Sequence, residues 1–174
     1  IQDSSQRPGP NRGPSFGYLG FDGPKLSLAF DDTWFPEERT PAGTFYGPKP
    51  SDAEALVAFA RTVDLDAEGL FLVHCYVGKS RSPAAAYVVY ATQWGPDRAF
   101  EAAEHVFLSQ ARTQRYGFAT PNALLVELSS RVVGWGLATS LDAFEEVWYT
   151  TDTYKHIKQG CQSGVSMKGN PRAK

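Results

Sequence analysis

Polar and apolar positions alternate at Lys25-Leu26-Ser27-Leu28-Ala29-Phe30, the period of a short strand with one face inward. Ser51 and Glu54 have the spacing of a capping box, in which the serine side chain accepts the Glu54 N–H and the glutamate reaches back. A helix is therefore expected to open at Ser51, and Leu56, Phe59, Ala60 and Val63 follow at helical spacing as one apolar stripe. Residues 69–73 (Gly-Leu-Phe-Leu-Val) form a continuous apolar run, the pattern of a buried parallel strand. Residues 83–92 are apolar nearly all round, with Ala84, Ala85, Ala86, Tyr87, Val88, Val89 and Tyr90, which predicts a central, buried helix.

Two longer helical patterns follow. One starts near Pro96 and turns Phe100, Ala103 and Phe107 inward; the next has Thr120 as N-cap and Pro121 in its first turn, with Leu124, Leu125, Leu128 and Val132 inside. Gly134 and Gly136 end it, and Ser140 opens a last short helix through Tyr149. Strand, helix, strand and then helices predict an α/β fold: a small, mostly parallel sheet flanked by helices, with a loop joining a buried strand to a buried helix. This places one domain at 25–149. Residues 1–24, with Pro8, Pro10, Pro14 and Pro24 among five glycines, read as an extended arm, and 150–174 as a polar, mildly basic tail.

Composition narrows the classes. The 174 residues carry 17 Lys+Arg against 19 Asp+Glu, a net charge of −2, and 42% are hydrophobic. That is enough apolar material for one core, and the charge balance argues against a general nucleic-acid binder. No apolar run approaches the roughly 18 residues of a membrane helix. Two cysteines, Cys75 and Cys161, are too few for a disulfide-stapled scaffold, so a cytoplasmic protein is expected.

The chemistry concentrates in Val73-His74-Cys75-Tyr76-Val77-Gly78-Lys79-Ser80-Arg81-Ser82-Pro83. A loop turning from strand into helix aims successive backbone N–H groups inward as an anion-binding nest, and Gly78 permits the backbone conformation this needs. The helix amino terminus and Arg81 both favour a negative sulfur, so the Cys75 thiol should titrate low and act as a nucleophile. Arg81 can grip two phosphate oxygens with its planar fork, and Ser82 can donate to the sulfur.

These residues resemble the His-Cys-x5-Arg-Ser/Thr signature of the cysteine-based protein tyrosine phosphatase superfamily, most closely its dual-specificity and small bacterial members. The resemblance is close over 69–92 and covers 25–135 only as a pattern of elements. It implies attack of Cys75 on phosphorus to give a cysteinyl-phosphate. The N–H groups of Tyr76, Val77, Gly78, Lys79, Ser80 and Arg81 would hold the oxygens, with His74 supporting the cysteine. It further implies a carboxylic acid that protonates the leaving group, and neither metal nor cofactor. Asp32, followed by Thr33, matches the dual-specificity pattern better than Asp31, with Glu37 and Glu38 behind them; an exposed acidic turn is the plainer alternative.

The expected partner is a phosphorylated protein. A phosphoinositide, nucleotide or RNA 5′-phosphate substrate, or a catalytically dead phosphate-binding module, are the alternatives. Lys79 favours multiply phosphorylated substrates unless it simply faces solvent, and Tyr76 departs from the charged or small residue usual after the cysteine. Relatives carry more sheet before the acid loop than 1–24 can supply, so either the amino end is truncated or the sheet is reduced. Asn122, after Pro121, reads first as a structural cap. His105 and His156 lack the spacing of a zinc site, and Cys161 reads as a free thiol before it reads as a regulatory partner of Cys75. The four tryptophans read as core or rim, with Trp34 a candidate to shape the substrate mouth.

Overall fold

The helix that other helices pack around is the one whose sequence is apolar on every side. In the computed structural model, which describes residues 23–65, 71–111, 119–151 and 155, it spans α2 (Arg81–Trp94). Before it come the antiparallel strands β1 (Glu37–Thr40) and β2 (Gly43–Tyr46) and the helix α1 (Pro50–Ala60). After it come a 3-10 turn at Pro96–Arg98, α3 (Ala99–Ala111), α4 (Ala123–Val133) and α5 (Leu137–Trp148). Helices α1, α3 and α4 each pack on α2, and α5 closes against α3 and α4. Ala84, Ala85, Val88, Val89 and Ala91 are buried, and the small side chains among them let neighbouring helices approach closely. Tyr87, fully buried, satisfies its hydroxyl by donating to the Leu137 carbonyl at 2.9 Å, which ties α2 to the start of α5.

The expected parallel sheet is not formed. Among the described residues the only sheet is the β1–β2 hairpin, with Glu37 opposite Tyr46 and Thr40 opposite Gly43. Residues 25–30 hold a single bridge at Ala29, and 71–73 are extended without a ladder, while Gly69 and Leu70 lie outside the described residues. Leu28 and Phe30 are in the core, and Phe71 and Val73, partly buried, pack against it, while Leu72 between them is exposed. Alternation and apolar runs report burial, whereas a strand also needs a neighbour to pair with. Among the described residues neither segment gains a ladder, and only the bridge at Ala29 pairs. The fold is therefore helical with a small antiparallel hairpin.

Helix starts are also corrected. α1 opens at Pro50 with Lys49 as N-cap, because Pro50 has the φ of a first helical residue and the Asp52 carboxylate accepts the Lys49 N–H at 2.7 Å. The Ser51–Glu54 box does not form. Asn122, not Thr120, caps α4, its side-chain oxygen accepting the Leu125 N–H at 3.0 Å. Gly134 ends that helix in the left-handed conformation, at φ 81°. α5 starts at Leu137, so Ser140 lies inside it, its N–H bonded to the Gly136 carbonyl. On α3, Ala103 and Phe107 point inward as expected, but Phe100 is 44% exposed and only edges against Phe144.

The amino-terminal arm up to residue 22, most of the tail and the residues His156 and Cys161 lie outside the described residues. No helix among the described residues is long and apolar enough to cross a membrane.

The hairpin meets the segment before it at a point that excludes any side chain. Gly47 is buried, its N–H bonds to the Pro36 carbonyl at 3.1 Å, and a Cβ there would stand 2.3 Å from the Phe35 carbonyl oxygen. Gly47→Ala must push backbone apart and is expected to lose about 1–3 kcal/mol of stability. Urea denaturation should show this as a lowered midpoint with an unchanged slope.

Candidate active site

Residues 74–80 wrap around the sulfur of Cys75 before the chain enters α2 at Arg81. Gly78, at φ 80°, turns the loop back so that its N–H donates to the Cys75 sulfur at 3.2 Å. The Ser82 hydroxyl lies 3.3 Å from the same sulfur. Burial of the thiol works against ionisation, but the hydroxyl and backbone N–H of Ser82, the Gly78 N–H and the charge of Arg81 together outweigh it and lower the Cys75 pKa. His74, half-buried, is held below the usual histidine range mainly by its own burial. It sits beside the cysteine as a mostly neutral ring at pH 7.

The rest of the loop is shaped from outside. The Gly78 carbonyl accepts from Gln110 Nε2 at 2.7 Å, and the Lys79 carbonyl accepts the Thr120 N–H at 2.8 Å. The Ser80 carbonyl takes two N–H groups, from Asn122 at 3.2 Å and from Ala84 at 3.1 Å. In a trans peptide the C=O and the following N–H point opposite ways. Three consecutive carbonyls turned outward therefore turn the N–H groups of Lys79, Ser80 and Arg81 to the loop's concave side. Those three N–H groups have no hydrogen-bond partner among the described residues. Parallel, unsatisfied N–H groups at a helix start make an anion site.

Arg81 closes the loop at the first position of α2. It is 4% exposed, donates Nη1 to the Phe30 carbonyl at 2.9 Å, and leaves Nε buried without a partner. A guanidinium N–H buried without a partner is costly unless an anion takes it up.

The acidic pair divides its roles. Asp31 is buried against the hairpin, accepting the Tyr46 N–H at 2.7 Å while its own N–H donates to the Tyr46 carbonyl at 2.7 Å. Asp32 faces the loop: one of its oxygens accepts from Ser80 Oγ at 2.6 Å and from Asn122 Nδ2 at 3.2 Å. Its other oxygen has no bond from the described residues and is exposed with the residue. Of the two remaining carboxylates, Glu38 accepts from the Thr33 hydroxyl and Glu37 pairs with Arg39. Trp34 and Phe35, just after Asp32 in the chain, and Tyr76 and Val77, just after Cys75, are more than half exposed, and Lys79 is half-buried.

Cys75, Gly78, Lys79, Ser80, Arg81, Ser82 and Asp32 thus come together, while Asp31 serves the hairpin. Two contributors carried no local signal. Gln110, in the last turn of α3, reaches the loop only through the packing of α3 on α2, and Thr120 does so through its backbone. Asn122 was legible as a cap, but not as the residue that also holds Asp32. Among the described residues no group of three or more His, Cys, Asp or Glu could hold a metal ion. In comparisons with known proteins, no family model matches the chain, and no curated protein or solved structure matches it significantly.

Because the Ser82 hydroxyl stabilises the thiolate, its loss raises the Cys75 pKa and shifts the titration to higher pH. Ser82→Ala is expected to slow iodoacetamide alkylation of Cys75 by about tenfold at mildly acidic pH, the worth of one hydrogen bond to a charged group. The rates of the two proteins should converge at alkaline pH, where both thiols are ionised.

Proposed function

We propose that the chain is a cysteine-dependent phosphomonoester hydrolase of the protein tyrosine and dual-specificity type, working in the cytoplasm on phosphorylated protein. The observation that carries this reading is the row of partnerless N–H groups at Lys79, Ser80 and Arg81, with the unused Arg81 Nε, arranged around an acidified thiol. Such a site offers a tetrahedral oxyanion its donors and offers phosphorus a nucleophile in the same small volume. The His-Cys-x5-Arg-Ser spacing of His74, Cys75, Arg81 and Ser82 supports the same reading.

In the first step the Cys75 thiolate forms an S–P bond as the ester P–O bond breaks, and Asp32 gives its proton to the departing oxygen. In the second, Asp32, now a carboxylate, takes a proton from water as the water oxygen bonds phosphorus and the S–P bond breaks. Inorganic phosphate leaves and both the thiolate and the protonated acid are restored. Throughout, the N–H row and Arg81 hold the three equatorial oxygens, where charge gathers. Ser82 donates to the sulfur when it departs in the second step. A reducing compartment keeps such a thiol active. The exposed rings of Trp34, Phe35 and Tyr76, close in sequence to Asp32 and Cys75, favour an ester whose leaving group is itself aromatic, hence phosphotyrosine ahead of a sugar or inositol phosphate.

Hydrolysis of phenyl phosphate across pH tests this. Cys75→Ser is expected to fall to background, and activity surviving it overturns the mechanism. Asp32→Asn should lower kcat by about 10²–10⁴-fold. Its effect on p-nitrophenyl phosphate should be smaller, because that phenolate leaves without help. A native protein that binds phosphate but hydrolyses neither ester is a binding module instead.

A further inference from the structure

Of the three outward carbonyls of the loop, two are held by backbone N–H groups that the fold cannot easily change. The Gly78 carbonyl is held by a side chain, Gln110 Nε2, reaching across from α3 at 2.7 Å. The peptide it fixes is the one most able to turn over. Gly78 has no Cβ and sits at φ 80°, so its backbone has the conformational freedom to swing this carbonyl toward the concave side. A carbonyl there would present negative charge to an arriving oxyanion and would carry the Lys79 N–H away from it.

We infer that Gln110 is a positioning residue of the phosphate site: by fixing the Gly78 carbonyl outward it keeps the Lys79 N–H aimed at the bound oxyanion. This rests on the reading of the loop as a phosphate site. It assigns Gln110 a role on the oxyanion side only. The donors to the sulfur are Ser82 and the Gly78 N–H, and the latter belongs to the preceding peptide unit. The role therefore separates anion binding from thiol ionisation, which a general loosening of the loop would change together.

The test uses the full chain with inorganic phosphate as the probe and Gln110→Met, which keeps the length of the side chain and removes its donor. In the native protein, phosphate should move the Lys79 amide proton strongly downfield in a ¹H–¹⁵N spectrum. In Gln110→Met that shift should shrink, the phosphate inhibition constant should rise and kcat/KM for phenyl phosphate should fall, each by about tenfold. The pH midpoint of Cys75 alkylation should stay where it is. Unchanged phosphate inhibition, or an alkylation midpoint that moves with it, overturns the role of Gln110 while leaving the phosphatase reading intact. A native protein in which phosphate leaves the Lys79 amide unmoved overturns it without recourse to the variant. Failure of the native protein to bind phosphate at all removes both.

Discussion

Asn122 is the point at which three distant stretches of chain become one site. Its side chain is fully buried and its polar groups are used. The oxygen caps α4 at Leu125, the amide nitrogen donates to Asp32 and to the Thr33 carbonyl at 3.0 Å, and the backbone N–H holds the Ser80 carbonyl. A buried amide satisfied on all sides is worth more than its single bonds, because removing it strands several partners at once. The segment of Asp32, the Cys75–Arg81 loop and the start of α4 are thereby placed relative to one another by one side chain.

Around that node the electrostatics are local. A net charge of −2 describes the whole chain, but the loop collects positive potential from the start of α2, the buried Arg81 and the inward N–H groups. Arg81 is anchored by the Phe30 carbonyl, one residue before the acidic pair, so the segment that supplies Asp32 also orients the guanidinium. Loop and acid segment are joined a second time by the Ser80–Asp32 bond. This arrangement needs no sheet. The loop is held by α2, by Gln110 at the end of α3, and by the backbone leading into α4, which explains how a helical fold with one hairpin assembles it.

Local chemistry was written in the order of residues. The spacing from Cys75 to Arg81, with Gly78 between and Ser82 after, announced a loop around a sulfur, because its contacts are made within eight consecutive positions. The all-round apolar character of 83–92 announced a central helix, and α2 is that helix. In both cases the forces act between neighbours in the chain, and periodicity or spacing records them directly.

Pairing between distant segments was not recorded there. Residues 25–30 and 69–73 showed that Leu28, Phe30, Phe71 and Val73 would be buried, but burial by helices and burial in a sheet leave the same pattern. Likewise Asp31 and Asp32 are adjacent and chemically identical. Only the docking of the hairpin turns Asp31 to the Tyr46 backbone and leaves Asp32 for Ser80 and Asn122. Sequence alone determined which residues could form an anion-binding loop around a nucleophilic sulfur, since those bonds are local. Tertiary structure decided which carboxylate meets that loop and which outside groups turn its carbonyls away, since those bonds join residues that only packing brings together.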